Sequence, residues 1–518
     1  MDASRRAGAA SGGPAAFGPA FAAPRGRGQR PLGRRAGADL DTIALVAGAL
    51  LPWGVGLAAL CALRAPGRPL AAPGEIAWLA GAGYLVGAFV LTLWMRALSL
   101  AGVRFGVTAI ALPLAIAGTA LAWVAWRRYG RSLVDAPRAA LRALVAPPEV
   151  AGATRLVWWL LLALLALRFV LLGLDVARQP LYPWDAWMQW ATKARVWYEL
   201  GWIVPFVGSG PWLAGSGTAY FDAAPGYPPT VPLLQTWSCL VLGRWDDALM
   251  NWPWWQIAVA LSLAVFGGLR SLLVTAPAAL FGTFFVASLP LANVHVALAG
   301  YADFPLAAYY TAAVLAFLRW HDRRDLPDAG LALLLAIACT QIKNPGIFWA
   351  LTLVPGVAVA LAPRHAVRFA AVGFGGALLA LAVLAQTSTT IFNYRLHLEF
   401  DPVWAALGES LFLLGNWHLL WYAVLAIAVI ARREIVAPAL LPLTFVIACG
   451  TLFLFVALSF TNARAWVTDQ STVNRATLHF APLLVVFVML AFRAFAERWS
   501  APHPGSAIPP AETRTPAA

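Results

Sequence analysis

Charge is what this sequence has least of. Only 12% of its 518 residues are Asp, Glu, Lys or Arg, while 61% are apolar; soluble domains run near ~25% and ~45–50%. That excludes an ordinary soluble chain, and a mean hydropathy of +0.72 belongs to a multi-pass membrane protein. Lysine is nearly missing: every cation is arginine except Lys193 and Lys343. Cysteine is scarce too. Cys61, Cys239, Cys339 and Cys449 lie in apolar runs without metal-ligand spacing, which reads as packing and not as a disulfide framework. No Gly-rich phosphate loop of Walker or dinucleotide type occurs, so nothing points to a nucleotide. The net charge of +14 does not imply a nucleic-acid partner, because the basic residues flank apolar runs.

What is present is hydrocarbon in long stretches. Runs near 43–63, 75–95, 105–126, 155–175, 252–270, 277–299, 303–320, 366–387, 408–431, 436–460 and 478–497 approach the ~20 residues needed to cross a bilayer. Two shorter runs, 329–343 and 346–363, flank "KNPG", for about thirteen helices in all. Residues 1–40, rich in Gly, Ala, Pro and Arg, read as a disordered tail without the apolar core of a signal peptide. Residues 499–518 read as a second tail. The Arg-rich segments 126–144, 319–325, 362–368 and 431–434 should share the cytoplasmic side. The long segment 176–251, "GYADFP" (300–305), 393–402 and 461–479 then fall on the opposite side. The Arg-rich start of the chain disagrees with that count. No internal repeat of the kind that builds inverted-half transporters is visible.

The hydrocarbon pauses at residues 181–201, "LYPWDAWMQWATKARVWYELG". On a helical wheel Asp185, Gln189, Thr192, Lys193, Arg195 and Glu199 share one half. Trp184, Trp187, Trp190, Trp197 and Tyr198 take the other. The spacing predicts an amphipathic helix in the membrane interface, indoles at headgroup level and charges toward water. An aromatic anchor without chemistry would look the same.

Three short motifs, in this order, carry a resemblance. "PWDAW" supplies Asp185 about ten residues past the run at 155–175; "GYADFPLAAYY" supplies Asp303 at the start of another run; "QIKNPG" supplies Lys343 at a helix break. With "YPP" (Tyr227 to Pro229) opening an apolar helix between the first two, the region 155–500 resembles the GT-C fold glycosyltransferases that use polyprenyl-phosphate sugars. Aminoarabinose transferases of lipid A, protein O-mannosyltransferases and rhizobial lipopolysaccharide galacturonosyltransferases are members. The resemblance implies an all-α, GT-C-like transmembrane bundle with extracytoplasmic juxtamembrane helices. It covers 151–498, leaving the helices of 41–150 as an addition. It also implies an acidic catalytic residue in the first long outer loop. This chain departs from the family in having Asp185-Ala186 where many members carry two acids, and Tyr-Pro-Pro in place of His-Pro-Pro.

The implied reaction moves a sugar from a polyprenyl-phosphate donor in the lipid bilayer to a glycan, lipid or protein acceptor of the envelope. It needs a carboxylate for the acceptor proton and cations for the departing phosphate. Asp185 is the expected base, although a carboxylate there also suits a helix N-terminus. Asp303 is the second catalytic candidate, or a cap for the helix at Pro305. Asp222 is a weaker second acid. Arg475 and His479, four residues apart before the last helix, Lys343, Lys193 and Tyr227 are the candidates for lipid phosphate and substrate. Snorkelling to the interface is the alternative for Arg475 and His479. Arg395, His397 and Arg464 stand behind them, and Asp469 is placed to pair with Arg475. The histidines show no ligand spacing, so no cofactor is assigned, and a divalent metal is not readable. An O-antigen-type ligase or polymerase, a transporter or flippase of lipid-linked saccharides, and a structural envelope protein remain alternatives.

Overall fold

The computed structural model describes residues 34–215, 219–391, 394–470 and 472–500. Most of the expected N-terminal tail, and its C-terminal counterpart beyond Ser500, lie outside them. Residues 34–40 are helical, however: the first helix is Arg34–Leu63, so it starts inside the segment read as tail. The chain divides into two units, Met1–Ile43 and Ala44–Ala518. Of the first only the helical residues 34–43 are described; the second holds all the other helices and both strand pairs.

Helix dominates, with two short strand pairs in connecting segments. Phe206–Val207 runs parallel to Tyr220–Phe221, and Thr389–Ile391 antiparallel to Tyr394–Leu396. An apolar chain in lipid has to pair its backbone within each segment, and the helix does that. Among the described residues seven helices are long and apolar enough to cross a membrane, or nine if two bent pairs each count as one span. The pairs are Ala276–Ser288 with Pro290–Ala297, bent by 59°, and Thr472–Leu478 with Ala481–Ser500, bent by 45°. Other runs counted in the sequence form shorter helices, Leu326–Ile342 among them. The run 408–431 is interrupted, with a π-turn at Glu409–Leu413 and a fresh helix at Leu420–Ile430.

The axis of the bundle is the helix Asp303–Arg323, on which every side chain from Asp303 to Arg319 is buried. Trp252–Ser271 packs against it and against Glu75–Leu100. These latter two touch backbone to backbone, since a Cβ on Gly267 would lie 2.2 Å from Trp78 N. Small residues at such crossings supply the packing that apolar burial cannot supply in lipid. Tyr309 on the axis donates to Leu85 O at 2.6 Å. The helices of 41–150 are therefore not set apart: Glu75–Leu100 is built into the core. At the periphery, Val107–Tyr129, Ala153–Arg178 and Pro363–Gln386 expose apolar side chains along their length, such as Ile116, Leu167 and Leu379.

The loops sort to two ends in the grouping expected from arginine. At one end Glu75 accepts from Arg64 (3.1 Å) and Arg319 (2.9 Å), and Arg68 reaches Asp328 at 3.0 Å. Arg128 donates to Ala62 O, Arg324 to Ala360 O, and Arg498 pairs with Glu434. Arg64 and Arg319 are buried and the others lie nearer the surface, and together these contacts tie the helix ends to one another. At the other end of the axis stands Asp303.

Candidate functional site

Asp303 is wholly buried, and both of its oxygens are occupied. Oδ1 accepts from Lys343 Nζ at 2.6 Å and from His479 Nε2 at 2.8 Å; Oδ2 accepts from Arg475 Nε at 3.0 Å. Arg475 Nη2 also lies 3.0 Å from that oxygen and 2.5 Å from Asp185 Oδ2. Five of the residues singled out in the sequence, from four separated segments, thus form one constellation. The expected capping role of Asp303 is not realised. Ala302 takes the cap position, and the carboxylate turns instead to its three donors.

Local chain geometry explains the meeting. Gly300 has φ of +114°, and a Cβ there would lie 2.6 Å from Ala186 Cβ. Only glycine lets the "GYADFP" turn press on the segment that carries Asp185. Gly346 N bonds Lys343 O at 2.8 Å, and a Cβ on Gly346 would meet Cys339 O at 1.9 Å. The "KNPG" turn is thereby held tight, with the buried Lys343 at its start. Arg475 and His479 come from the 45° bend before the last helix.

The imidazole has a fixed tautomer. Trp349 Nε1 donates to His479 Nδ1 at 3.0 Å. An indole N–H can only donate, so Nδ1 is unprotonated and Nε2–H gives its proton to the hydrogen bond with Asp303. The constellation then holds two carboxylates, two cations and a neutral imidazole, which balances its charge as burial demands. Its open edge is Arg475 with Asp185, whose side chains are 22% and 18% exposed. Tyr301 backs the guanidinium, 4.7 Å from ring to cation, and His295 packs on Tyr301 at 5.0 Å. Tyr301, Trp349 and His295 were not chosen from the sequence. The tyrosine sits within the quoted "GYADFP", but nothing in a linear sequence signals its stacking.

The Trp-rich segment departs from the expected wheel. Ala186–Trp190 winds as a π-turn, and the α-helix proper is Ala191–Leu200; Thr192 Oγ1 accordingly bonds Trp187 O at 2.6 Å. A π-turn adds a residue and rotates everything after it. Trp184 and Trp187 stay exposed, whereas Trp190, Trp197 and Lys193 are buried, so the indoles do not all lie at one surface. Lys193 pairs with buried Asp222 at 3.3 Å, donates to Ala224 O at 2.8 Å and sits over Trp190, which packs on Tyr227 at 5.1 Å. Burial pulls the Lys193 ammonium below its ordinary range and pushes the Asp222 carboxyl above its own, each restrained by the other's charge. Lys193, Asp222 and Tyr227 therefore lie in a neighbouring cluster that braces the long loop, outside the Asp303 constellation.

The remaining candidates form a third group. Arg464 pairs with Glu399 and Asp401, His397 with Glu399 at 3.1 Å, and Arg395 donates to Ser388 Oγ. Asp469 Oδ1 accepts from Thr472 N at 3.1 Å, capping the turn that leads to Arg475. Among the described residues no three His, Cys, Asp or Glu side chains are gathered as a metal would require. The four cysteines are free thiols. Compared with protein-family models, curated proteins and solved structures, the chain matches none.

Proposed function

We propose that this multi-pass membrane protein is a glycosyltransferase of the GT-C kind. It would cross the membrane about thirteen times and work at the extracytoplasmic side of a bacterial inner membrane. Its donor is a polyprenyl-phosphate sugar, and its acceptor a hydroxyl or amine of the envelope. The observation that carries this reading is the bridge of Arg475 between Asp303 and Asp185. A buried, charge-balanced foundation anchors a cation and a carboxylate, each partly exposed, side by side.

The acceptor oxygen or nitrogen attacks the anomeric carbon and forms the new glycosidic bond. The bond from that carbon to the phosphate oxygen breaks, and its electron pair leaves with the polyprenyl phosphate. Arg475 holds the phosphate as its charge grows, since preorganised donors are most effective where charge develops. Asp185, released from Arg475 by the phosphate, takes the acceptor proton. Asp303, Lys343 and His479 keep Arg475 in place. Lys193, Asp222 and Tyr227 hold the loop that delivers Asp185.

The test is mass spectrometry of envelope glycans from a deletion strain complemented with wild type or Asp185→Asn at equal membrane levels. Loss of one sugar together with build-up of its polyprenyl-phosphate form supports the transferase. An unchanged glycan profile refutes Asp185 as the base and favours a lipid-linked-saccharide transporter. The ion pairs at both ends of the axis helix suit such a transporter as gates.

A further inference from the structure

The helix break "KNPGIFW" sends two groups to one oxygen. Lys343 Nζ reaches Asp303 Oδ1 directly, at 2.6 Å. Trp349, in the short helix Gly346–Leu351, reaches the same oxygen through the imidazole. Its Nε1 donates to His479 Nδ1 at 3.0 Å, and His479 Nε2 donates to Asp303 Oδ1 at 2.8 Å. Indole and imidazole are 1% and 3% exposed, so the bond between them cannot be traded for one to water.

The indole is held on several sides. Phe480 stacks on it at 5.5 Å, Tyr310 of the axis helix packs at 5.3 Å, and Phe453 meets it edge-on at 6.2 Å. Gly450 makes the room, because a Cβ there would lie 3.2 Å from the indole and 3.1 Å from Phe480. Thr352 Oγ1 donates to Trp349 O at 2.6 Å, which leaves Tyr310 Oη to donate to Thr352 Oγ1 at 2.6 Å. Ring and backbone of Trp349 are thus both fixed against the axis helix. A proton added at His479 Nδ1 would set two buried N–H donors against each other across 3.0 Å, and neither would be satisfied. It would also place a third cation beside Lys343 and Arg475, against only Asp303 and Asp185. The further titratable side chains packed here are Tyr301 and His295 behind Arg475, and Tyr310 beside the indole.

We propose that Trp349 is a positioning residue of this site: its indole keeps His479 a neutral donor to Asp303, so the charge that holds Arg475 and Asp185 stays constant as the outside pH changes. An imidazole ordinarily changes its charge between about pH 5 and about pH 8, and a site at the outer side of a membrane meets that range. With a cationic His479, Asp185 would face three cations and take up a proton less readily. The chemistry would then fade in acid, and the indole prevents it. The effect on rate rests on the transferase reading above, whereas the lock itself rests on the hydrogen bonds alone.

The test follows His479 by nitrogen NMR of the full-length protein in micelles, with isotope-labelled histidine and tryptophan. The signal lost in His479→Gln assigns it among the seven histidines. In wild type, Nδ1 should stay unprotonated from about pH 8 to about pH 5, and a coupling should cross the hydrogen bond between Trp349 Nε1 and His479 Nδ1. In Trp349→Phe, which keeps an aromatic ring without the donor, the imidazole should gain its second proton near the ordinary ~6.5. Sugar transfer is then read in envelope vesicles from the complemented deletion strain, which carry their own donor and acceptor. The ratio of variant to wild-type rate should fall about tenfold between about pH 7.5 and about pH 5.5, the share that a group of pKa ~6.5 leaves unprotonated one unit below. Absence of the coupling in wild type, which is readable even where the variant fails to fold, overturns the inference. So does a Trp349→Phe imidazole that keeps Nδ1 bare down to about pH 5, since the neighbouring cations and not the indole would then hold it neutral. A rate ratio that does not change with pH overturns the positioning role and leaves the transferase standing. Sugar transfer by neither protein, with coupling and titration as expected, removes the transferase reading and upholds the lock.

Discussion

Take away the Lys343 ammonium and Asp303 loses its shortest hydrogen bond, 2.6 Å from Nζ to Oδ1. Lys343→Met leaves Asp303 and Asp185 facing one cation, Arg475, in a site where Asp303 itself has no exposure. Removing one partner of a buried ion pair costs about 3–5 kcal/mol, because the other charge stays behind unpaired. Asp303→Asn makes the reverse imbalance, Lys343 and Arg475 against Asp185, and should cost about the same. The double variant is the informative one. With both changes Arg475 and Asp185 still pair at 2.5 Å, charge balances again, and an amide oxygen remains to accept from His479. Its penalty should therefore fall short of the sum of the two singles by about 1–3 kcal/mol. Unfolding of the purified protein in mixed micelles by increasing denaturing detergent reads all four proteins on one scale. Additivity within about 0.5 kcal/mol, the range for independent sites, would refute the claim that these charges are balanced as one unit.

Two further outcomes test the reasoning elsewhere. Gly300→Ala adds a Cβ 2.6 Å from Ala186 Cβ at a φ of +114°, with strain of about 1–3 kcal/mol; the displaced Asp185 should cut sugar transfer about 100-fold, and wild-type rates at matched protein levels would exclude it. Arg464 holds Glu399 below the usual carboxylate range. The folded value thus lies beneath the unfolded ~4.3, so the stabilisation is complete above that pH and fades as pH falls through the folded value. Amide protection around 396–402 should stay level down to about pH 5 and drop below about 4, while Glu399→Gln should lose that dependence; an unchanged profile in the variant would show that the pair does not hold the loop.

Much of the site was legible because its residues are chemically out of place. Asp185, Asp303, Lys343, Arg475 and His479 stand out in an apolar chain, and charge near lipid needs a reason. The roles were less legible. Asp303 reads equally as a catalytic acid or as a helix cap from "ADFP", and only the arrival of three donors from residues 343, 475 and 479 shows that its carboxylate does not cap. His479 reads as a cation for phosphate, yet Trp349 fixes it as a neutral donor. The wheel drawn through Trp184 to Glu199 fails at one place, because a π-turn carries no composition signal.

The amino-acid sequence by itself determined that this chain is an all-helical, multi-pass membrane protein, since hydrophobic length and sparse charge suffice for that. It also determined which loops share an end, because arginine marks them. Tertiary structure decided which charges neutralise which. Lys193 belongs to Asp222, and Arg475 joins two acids 118 residues apart in the chain. It also decided how many helices run unbroken. Pairings of that kind depend on distances of about 3 Å between segments that the sequence keeps far apart, and only the folded packing of the axis helix and its neighbours sets them.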